Sequence, residues 1–152
     1  FERGVRLFEE TPGRFATAAA VLINPTTYEV EWVNAGHLPP MIISPDGSYR
    51  ELEMTGPLMS TLGGAWQSKT TQVDPRDIVV LWTDGVTESR DAAGEELEES
   101  GLRSLIAEAR ASGDVAPKQI VGKVLAASRS RAINWGNDDR TLIISAFGGQ
   151  PN

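Results

Sequence analysis

An α+β sandwich of mostly antiparallel strands is the architecture this chain should adopt. Two observations carry that expectation. Six short strand candidates joined by tight turns fill residues 15–83, and two helical periodicities followed by one last apolar run fill the remainder.

The elements follow in order. Residues 15–23, "FATAAAVLI", form a strand that stops at Asn24-Pro25, since proline brings no amide donor to a ladder. "YEVEWVNAG" alternates strictly, with Tyr28, Val30, Trp32 and Asn34 on one face and Glu29, Glu31 and Val33 on the other. "PMIIS" and "YRELEM" flank Pro45-Asp46-Gly47, hairpin chemistry in which glycine accepts a positive φ. "AWQSKTTQV" and "DIVVLWT" flank a second turn at Asp74-Pro75. Then the period changes. "GLRSLIAEARA" sets Leu102, Leu105, Ile106 and Ala109 at helical spacing, and Gly113 ends it. "APKQIVGKVLAASRSRAI" puts Ile120, Val121, Val124, Leu125 and Ser128 on one stripe, with Pro117 in the first turn. A strand over 141–147 closes the domain, and the helices cover one sheet face. Glu95, Glu96, Glu98 and Glu99 read as a solvated helix N-terminus, where carboxylates favour the macrodipole.

Composition narrows the function. A chain of 152 residues at 40% hydrophobic content buries a real core, and its length suits one domain. We expect a lead-in over 1–14, the domain over 15–147 and a tail over 148–152. A net charge of −7 disfavours nucleic acid as a partner, because phosphate contacts need a basic surface. The absence of cysteine excludes disulfides, thiolate metal sites and a cysteine nucleophile. No apolar run approaches the roughly 20 residues that span a bilayer, and no signal-peptide pattern opens the chain. A cytoplasmic domain without a membrane partner is the expectation. The opening "FERGVRLFEETPGRF" has no initiator methionine, as in a fragment or a processed chain.

Two acidic corners stand out. In "DIVVLWTDGVTES" an apolar run leads straight into Asp84 and Gly85; in "GNDDRTLIISAF" Asp138 and Asp139 sit just before another apolar run. If the two strands are antiparallel neighbours, the end of one and the start of the other share an edge and the carboxylates converge. Gathering such anions is costly unless a cation neutralises them. With carboxylates as ligands and one histidine in the chain, that cation should be hard: Mg²⁺ or Mn²⁺ ahead of Ca²⁺. Gly85 would then let backbone and water approach the metal. Ordinary turn chemistry is the alternative, with Asp84 in an Asx-turn and Asp138 or Asp139 capping a turn, and spacing alone leaves both open.

Other polar residues point less clearly to chemistry. His37, between glycine and Pro39-Pro40 after Leu38, suits backbone anchoring better than acid catalysis. Arg140 could pair with Asp139 or meet a phosphate, and the ion pair is the simpler use. Ser60, Thr83 and Ser89 lack the base and elbow of a serine-hydrolase triad. Trp32, Trp66, Trp82 and Trp135 mostly fall on strands, where core packing is the expected use.

Five stretches in order, "FATAAAVLI", "NAGHLPPMI", "TGPLMSTLGG", "LWTDGVTES" and "NDDRTLIIS", resemble the PP2C-like serine/threonine phosphatases of the SpoIIE and RsbU type, bacterial regulators of sigma factors. The resemblance runs from Phe15 to Phe147. It implies an α/β/β/α sandwich with a pair of Mn²⁺ or Mg²⁺ ions at one edge. It also implies that Asp84 and Asp138 are metal ligands, with Asp139 a further participant. The implied substrate is a phosphorylated anti-anti-sigma factor, a STAS-type protein, and an upstream sensor domain is implied as a partner. The family's GGD-x-x-D and GD-V-x-G-x-G motifs are not in this sequence. The chain is therefore expected to lack N-terminal strands and half of the metal site, to be inactive alone, and to expose sheet edge that favours a homodimer.

Smaller departures fall on scaffold positions: Pro75-Arg76-Asp77 where relatives commonly have proline-glycine-aspartate, and Leu97-Glu98 where they often have phenylalanine-glycine. A non-catalytic interaction domain of the same fold is the competing reading. A haloacid-dehalogenase-type phosphatase fails on one residue, since Trp82 stands where the phosphoryl acceptor must be.

Overall fold

The computed structural model describes residues 13–60, 62–111, 116–133, 135–136 and 139–147. Most of the expected lead-in, all of the tail, Gly113 and Asp138 lie outside the described residues. In chain order the elements are β1 (Phe15–Ala16), β2 (Ala18–Asn24), β3 (Glu29–Ala35), β4 (Met41–Ile43), β5 (Tyr49–Glu51), β6 (Met59–Ser60), β7 (Lys69–Gln72) and β8 (Ile78–Trp82). Then come α1 (Asp84–Thr87), α2 (Glu98–Ala111), α3 (Pro117–Arg131) and β9 (Leu142–Ala146). The chain is α+β with antiparallel sheets, as expected. It divides into two compact units, Phe1–Pro40 with Glu51–Val73 and Met41–Arg50 with Asp74–Asn152.

The first unit is built on the antiparallel sheet β2-β3-β7. Its hairpin turn is an Asx-turn: Asn24 Oδ1 accepts the amides of Thr26 at 3.0 Å and Thr27 at 3.1 Å. The alternation of β3 is realised, with Val30, Trp32 and Asn34 buried. Trp32 Nε1 finds its partner in the Glu53 carbonyl at 3.1 Å. The run 15–23, expected as one strand, is two. Phe15 pairs with Ser60 in β6, whereas Ala18 onward pairs with β3, so the chain changes partner at Thr17. With only two residues, β6 is too short to show any alternation in the sequence. The strand expected over 65–73 contracts to β7. Trp66 instead donates its indole N–H to the Pro57 carbonyl at 2.7 Å, which holds the preceding residues in a loop.

The second unit is built on the sheet β5-β4-β8-β9. Met41, Ile42 and Ile43 of β4 and Ile78, Val79, Val80 and Trp82 of β8 are all buried. These two strands are central, which is why their sequences run apolar without alternating. Each such side chain contributes roughly 1.5–3 kcal/mol by its burial. At the edge, β9 alternates: Ile144 is buried while Ile143 is half exposed. The β4–β5 turn is the expected hairpin, closed by Ser44 N–H on Ser48 O at 2.9 Å, with Gly47 at a φ of 86°.

Helix α2 buries Leu102, Ile106 and Ala109, and α3 buries Ile120, Val124 and Ser128, the centres of the two expected stripes. The helices pack on each other, and α3 lies against β9. Arg110 ties the end of α2 to the sheet, donating to the carbonyls of Ile43 (3.2 Å), Ser44 (3.1 Å) and Arg76 (2.7 Å). Burial lowers the pKa of this guanidinium, and the nearby Asp77 opposes that shift. The glutamate cluster is more engaged than a solvated helix start. Glu96 forms an ion pair with Arg90, and Arg131 donates to Asp91 Oδ2 at 3.1 Å and to the Glu95 carbonyl at 2.9 Å. Among the described residues no helix is long and apolar enough to cross a membrane.

Candidate metal centre

The two acidic corners meet in the second unit. Strands β8 and β9 are antiparallel neighbours, and their register ends at Trp82↔Leu142. The residues that follow the one strand and precede the other therefore start from the same sheet edge. Thr83 extends the ladder by a step: its amide donates to the Thr141 carbonyl at 3.1 Å. Its side chain adds two links. The Thr83 hydroxyl donates to the Asp139 carbonyl at 3.2 Å and accepts the Thr141 amide at 2.9 Å.

Asp84 does not open a loop. It begins the single turn α1, in which Val86 N–H donates to Thr83 O at 3.0 Å and Glu88 N–H to Asp84 O at 2.7 Å. Gly85 is not needed for a left-handed backbone, since its φ is not positive. Its smallness serves close packing instead. A β-carbon on Gly85 would stand 2.4 Å from the Asp139 carbonyl oxygen and 3.2 Å from Arg140 Cγ.

Asp84 and Asp139 are both exposed, and Asp84 Oδ1 accepts the Gly85 amide at 2.9 Å. Asp138, the third expected ligand, lies outside the described residues. Among the described residues no three histidine, cysteine, aspartate or glutamate side chains gather into a metal-ligand group. What the edge offers is two exposed aspartates on neighbouring strand ends. An all-oxygen donor set of this kind fits a hard divalent cation.

His37 belongs to the first unit. Its amide donates to Asn34 Oδ1 at 2.9 Å, Asn34 Nδ2 donates back to the His37 carbonyl at 3.1 Å, and its ring Nδ1 lies 3.2 Å from Thr17 Oγ1. Asn34 is buried, so it is the Asn34 side chain that fixes the backbone of the "NAGHLPP" stretch, the anchoring expected of the histidine. Arg140 stacks its guanidinium over the Trp135 ring, 4.6 Å from the centroid, and donates to the Trp135 carbonyl. Trp135 is thus a loop residue holding an arginine rather than a strand core residue. Ser89 is buried and donates to the Val86 carbonyl at 2.8 Å, a structural use. Neither the Thr83 staple nor the Trp135 stack has a local signal in the sequence: the first joins residues 56 and 58 positions apart through the β8–β9 pairing, and the second depends on loop geometry.

The chain is similar to known proteins over most of its length. The family model described as Stage II sporulation protein E (SpoIIE) matches residues 2–147. Protein IcfG of Synechocystis is 29% identical over 82 residues, 53% of this chain and 13% of IcfG. The structure of the RsbU and RsbW domains of Rv1364c from Mycobacterium tuberculosis aligns with a TM-score of 0.77 at 25% identity, covering 99% of this chain and 42% of that one. The SiaA-PP2C domain of Pseudomonas aeruginosa aligns with a TM-score of 0.74 at 16% identity, covering 96% of this chain and 57% of that one. The chain therefore spans well under two thirds of each of these relatives.

Proposed function

Because the chain belongs to the SpoIIE family and has the fold of PP2C-type phosphatase domains, we propose that it is part of a metal-dependent protein serine/threonine phosphatase. The observation that carries this reading is the Trp82↔Leu142 register, from which Asp84 and Asp139 leave the same sheet edge. Asp84 and Asp138 would hold a pair of Mn²⁺ or Mg²⁺ ions, with Asp139 contributing. Relatives of this fold include a SpoIIE phosphatase domain from Bacillus subtilis presoaked with manganese and RsbX in complex with magnesium. Bound there, such ions supply polarisation of phosphoryl oxygens and an activated water for in-line attack on a phosphoserine or phosphothreonine ester. The chain's own part is to hold the carboxylates in place through the β8–β9 ladder and to keep them open to solvent and substrate.

The substrate in this reading is a phosphorylated anti-anti-sigma factor of the STAS type, in a cytoplasmic signalling protein with an upstream sensor domain. Two carboxylate corners are a partial ligand set, and charge and ligand count govern affinity in such sites. The chain by itself is therefore inactive in this reading, or completed by a second copy.

Mn²⁺-dependent hydrolysis of an aryl phosphate tests this. The chain alone should not turn over, and a chimera carrying a relative's GGD-x-x-D and GD-V-x-G-x-G segments upstream should. The chimera with Asp84→Asn should lose the activity. A folded chimera without turnover would favour a non-catalytic interaction domain of the same fold.

A further inference from the structure

We infer that Thr83 is a positioning residue of the metal centre, holding the backbone of Asp139 against Gly85 so that the two acidic corners keep a fixed spacing. This inference rests on the metal-centre reading above. A hydroxyl has one proton to give and lone pairs to accept with, and Thr83 uses both capacities on the opposite corner. The proton goes to the Asp139 carbonyl at 3.2 Å, and a lone pair takes the Thr141 amide at 2.9 Å. One side chain thus brackets Arg140 from both sides of the chain.

Gly85 completes the clamp from the neighbouring position, since no β-carbon keeps the Asp139 carbonyl at a distance. The first residue of the next turn is also fixed: Asp84 O accepts the Glu88 amide at 2.7 Å and the Thr87 hydroxyl at 3.2 Å. Both acidic residues therefore have a backbone held in place, while both side chains remain exposed.

Such a clamp matters to a cation site because like-charged carboxylates repel when no ion lies between them. A corner free to swing would relax apart and would have to be drawn back at each binding event. Groups that orient metal ligands without touching the metal typically account for about 10–100-fold in affinity. The five backbone pairs of β8 and β9 are made without the hydroxyl, so its removal should leave the ladder in place.

The test is a Mn²⁺ titration of the 152-residue chain, read as paramagnetic broadening of the backbone amide resonances of Asp84, Gly85, Asp139 and Arg140. This readout detects weak binding and needs no turnover. Wild type, T83V, T83S and D84N are compared, with thermal unfolding run alongside. D84N should lose the broadening, T83S should titrate like wild type, and T83V should need about tenfold more Mn²⁺ or beyond. Exchange of the Thr141 amide with solvent should quicken in T83V and not in T83S. Should T83V fail to fold, T83A carries the same comparison. Broadening of T83V at wild-type Mn²⁺, with D84N impaired, overturns the positioning role and leaves the metal centre standing. Identical behaviour of wild type and D84N overturns the metal centre itself, and the inference with it.

Discussion

The carbonyl oxygen of Asp139 occupies the space that a β-carbon on Gly85 would need, 2.4 Å from its ideal position. Backbone cannot yield there as a flexible side chain would, and Thr83 holds the same carbonyl by a hydrogen bond. Gly85→Ala should therefore destabilise the chain by about 1–3 kcal/mol, the usual cost of overpacking. For a chain of this length that is a fall of several degrees in Tm, measurable by calorimetry. An unchanged Tm would mean that the Asp139 corner is loosely held.

That contact also shows what the sequence could reveal about the site and what it could not. That Asp84 and Asp139 leave one sheet edge was legible, because each stands beside an apolar run and the two runs pair antiparallel. The reason for Gly85 was not legible. A glycine after an aspartate looks like a turn residue, and only the register of β9 reveals that its missing β-carbon makes room for a carbonyl. The same holds for Thr83, whose two partners lie more than fifty positions along the chain.

Glu98 opens α2 with a φ of 57°, in the left-handed region that suits glycine. A non-glycine residue there costs about 1–2 kcal/mol, whereas a glycine costs about 0.5–1 kcal/mol through the greater freedom of the unfolded chain. The difference favours glycine. Glu98→Gly should thus stabilise the chain by about 0.5–1 kcal/mol, read as a higher urea midpoint with an unchanged slope. A lower midpoint would show that the Glu98 side chain contributes more than its strain costs.

The helices and central strands were the easiest elements to read, since their periodicities extend over many residues. The errors came where tertiary pairing decides. Nothing in "FATAAAVLI" marks Thr17 as the point where the strand exchanges β6 for β3, and nothing in "AWQSKTTQV" says that Trp66 is drawn out to the Pro57 carbonyl. Short elements lack the length to carry a period of their own.

The β4–β5 turn makes a prediction about pH. Asp46 Oδ1 accepts both the Ser48 hydroxyl at 2.7 Å and the Ser48 amide at 2.9 Å. The side-chain bond is the larger cause, and together they hold the carboxyl below its ordinary 3.8. A folded pKa below the unfolded one gives a stabilisation that is complete above the unfolded value and is lost as pH falls through the folded one. NMR titration should place the Asp46 midpoint below 3.8 in the wild type, and Ser48→Ala should raise it. A midpoint that Ser48→Ala leaves unmoved would remove the hydroxyl as the cause.

Arg110 makes a prediction about what ties α2 to the sheet. Its guanidinium satisfies the carbonyls of Ile43, Ser44 and Arg76, and it faces the buried Asp77. Methionine would keep much of the packing of the stem but remove three directed hydrogen bonds and the positive charge beside Asp77. The Ser44 carbonyl would keep the Gly47 amide and Asp77 the Asp74 amide. Each hydrogen bond from a charged donor contributes about 1.5–3 kcal/mol, less where water can replace it, as at the exposed Arg76 contact. Arg110→Met should therefore cost about 2–4 kcal/mol in chemical denaturation. Arg110→Lys keeps the charge but not the planar fork that reaches the separate carbonyls, so its loss should fall between wild type and methionine. A lysine variant as stable as wild type would mean that charge beside Asp77, rather than the three directed bonds, is what the position requires.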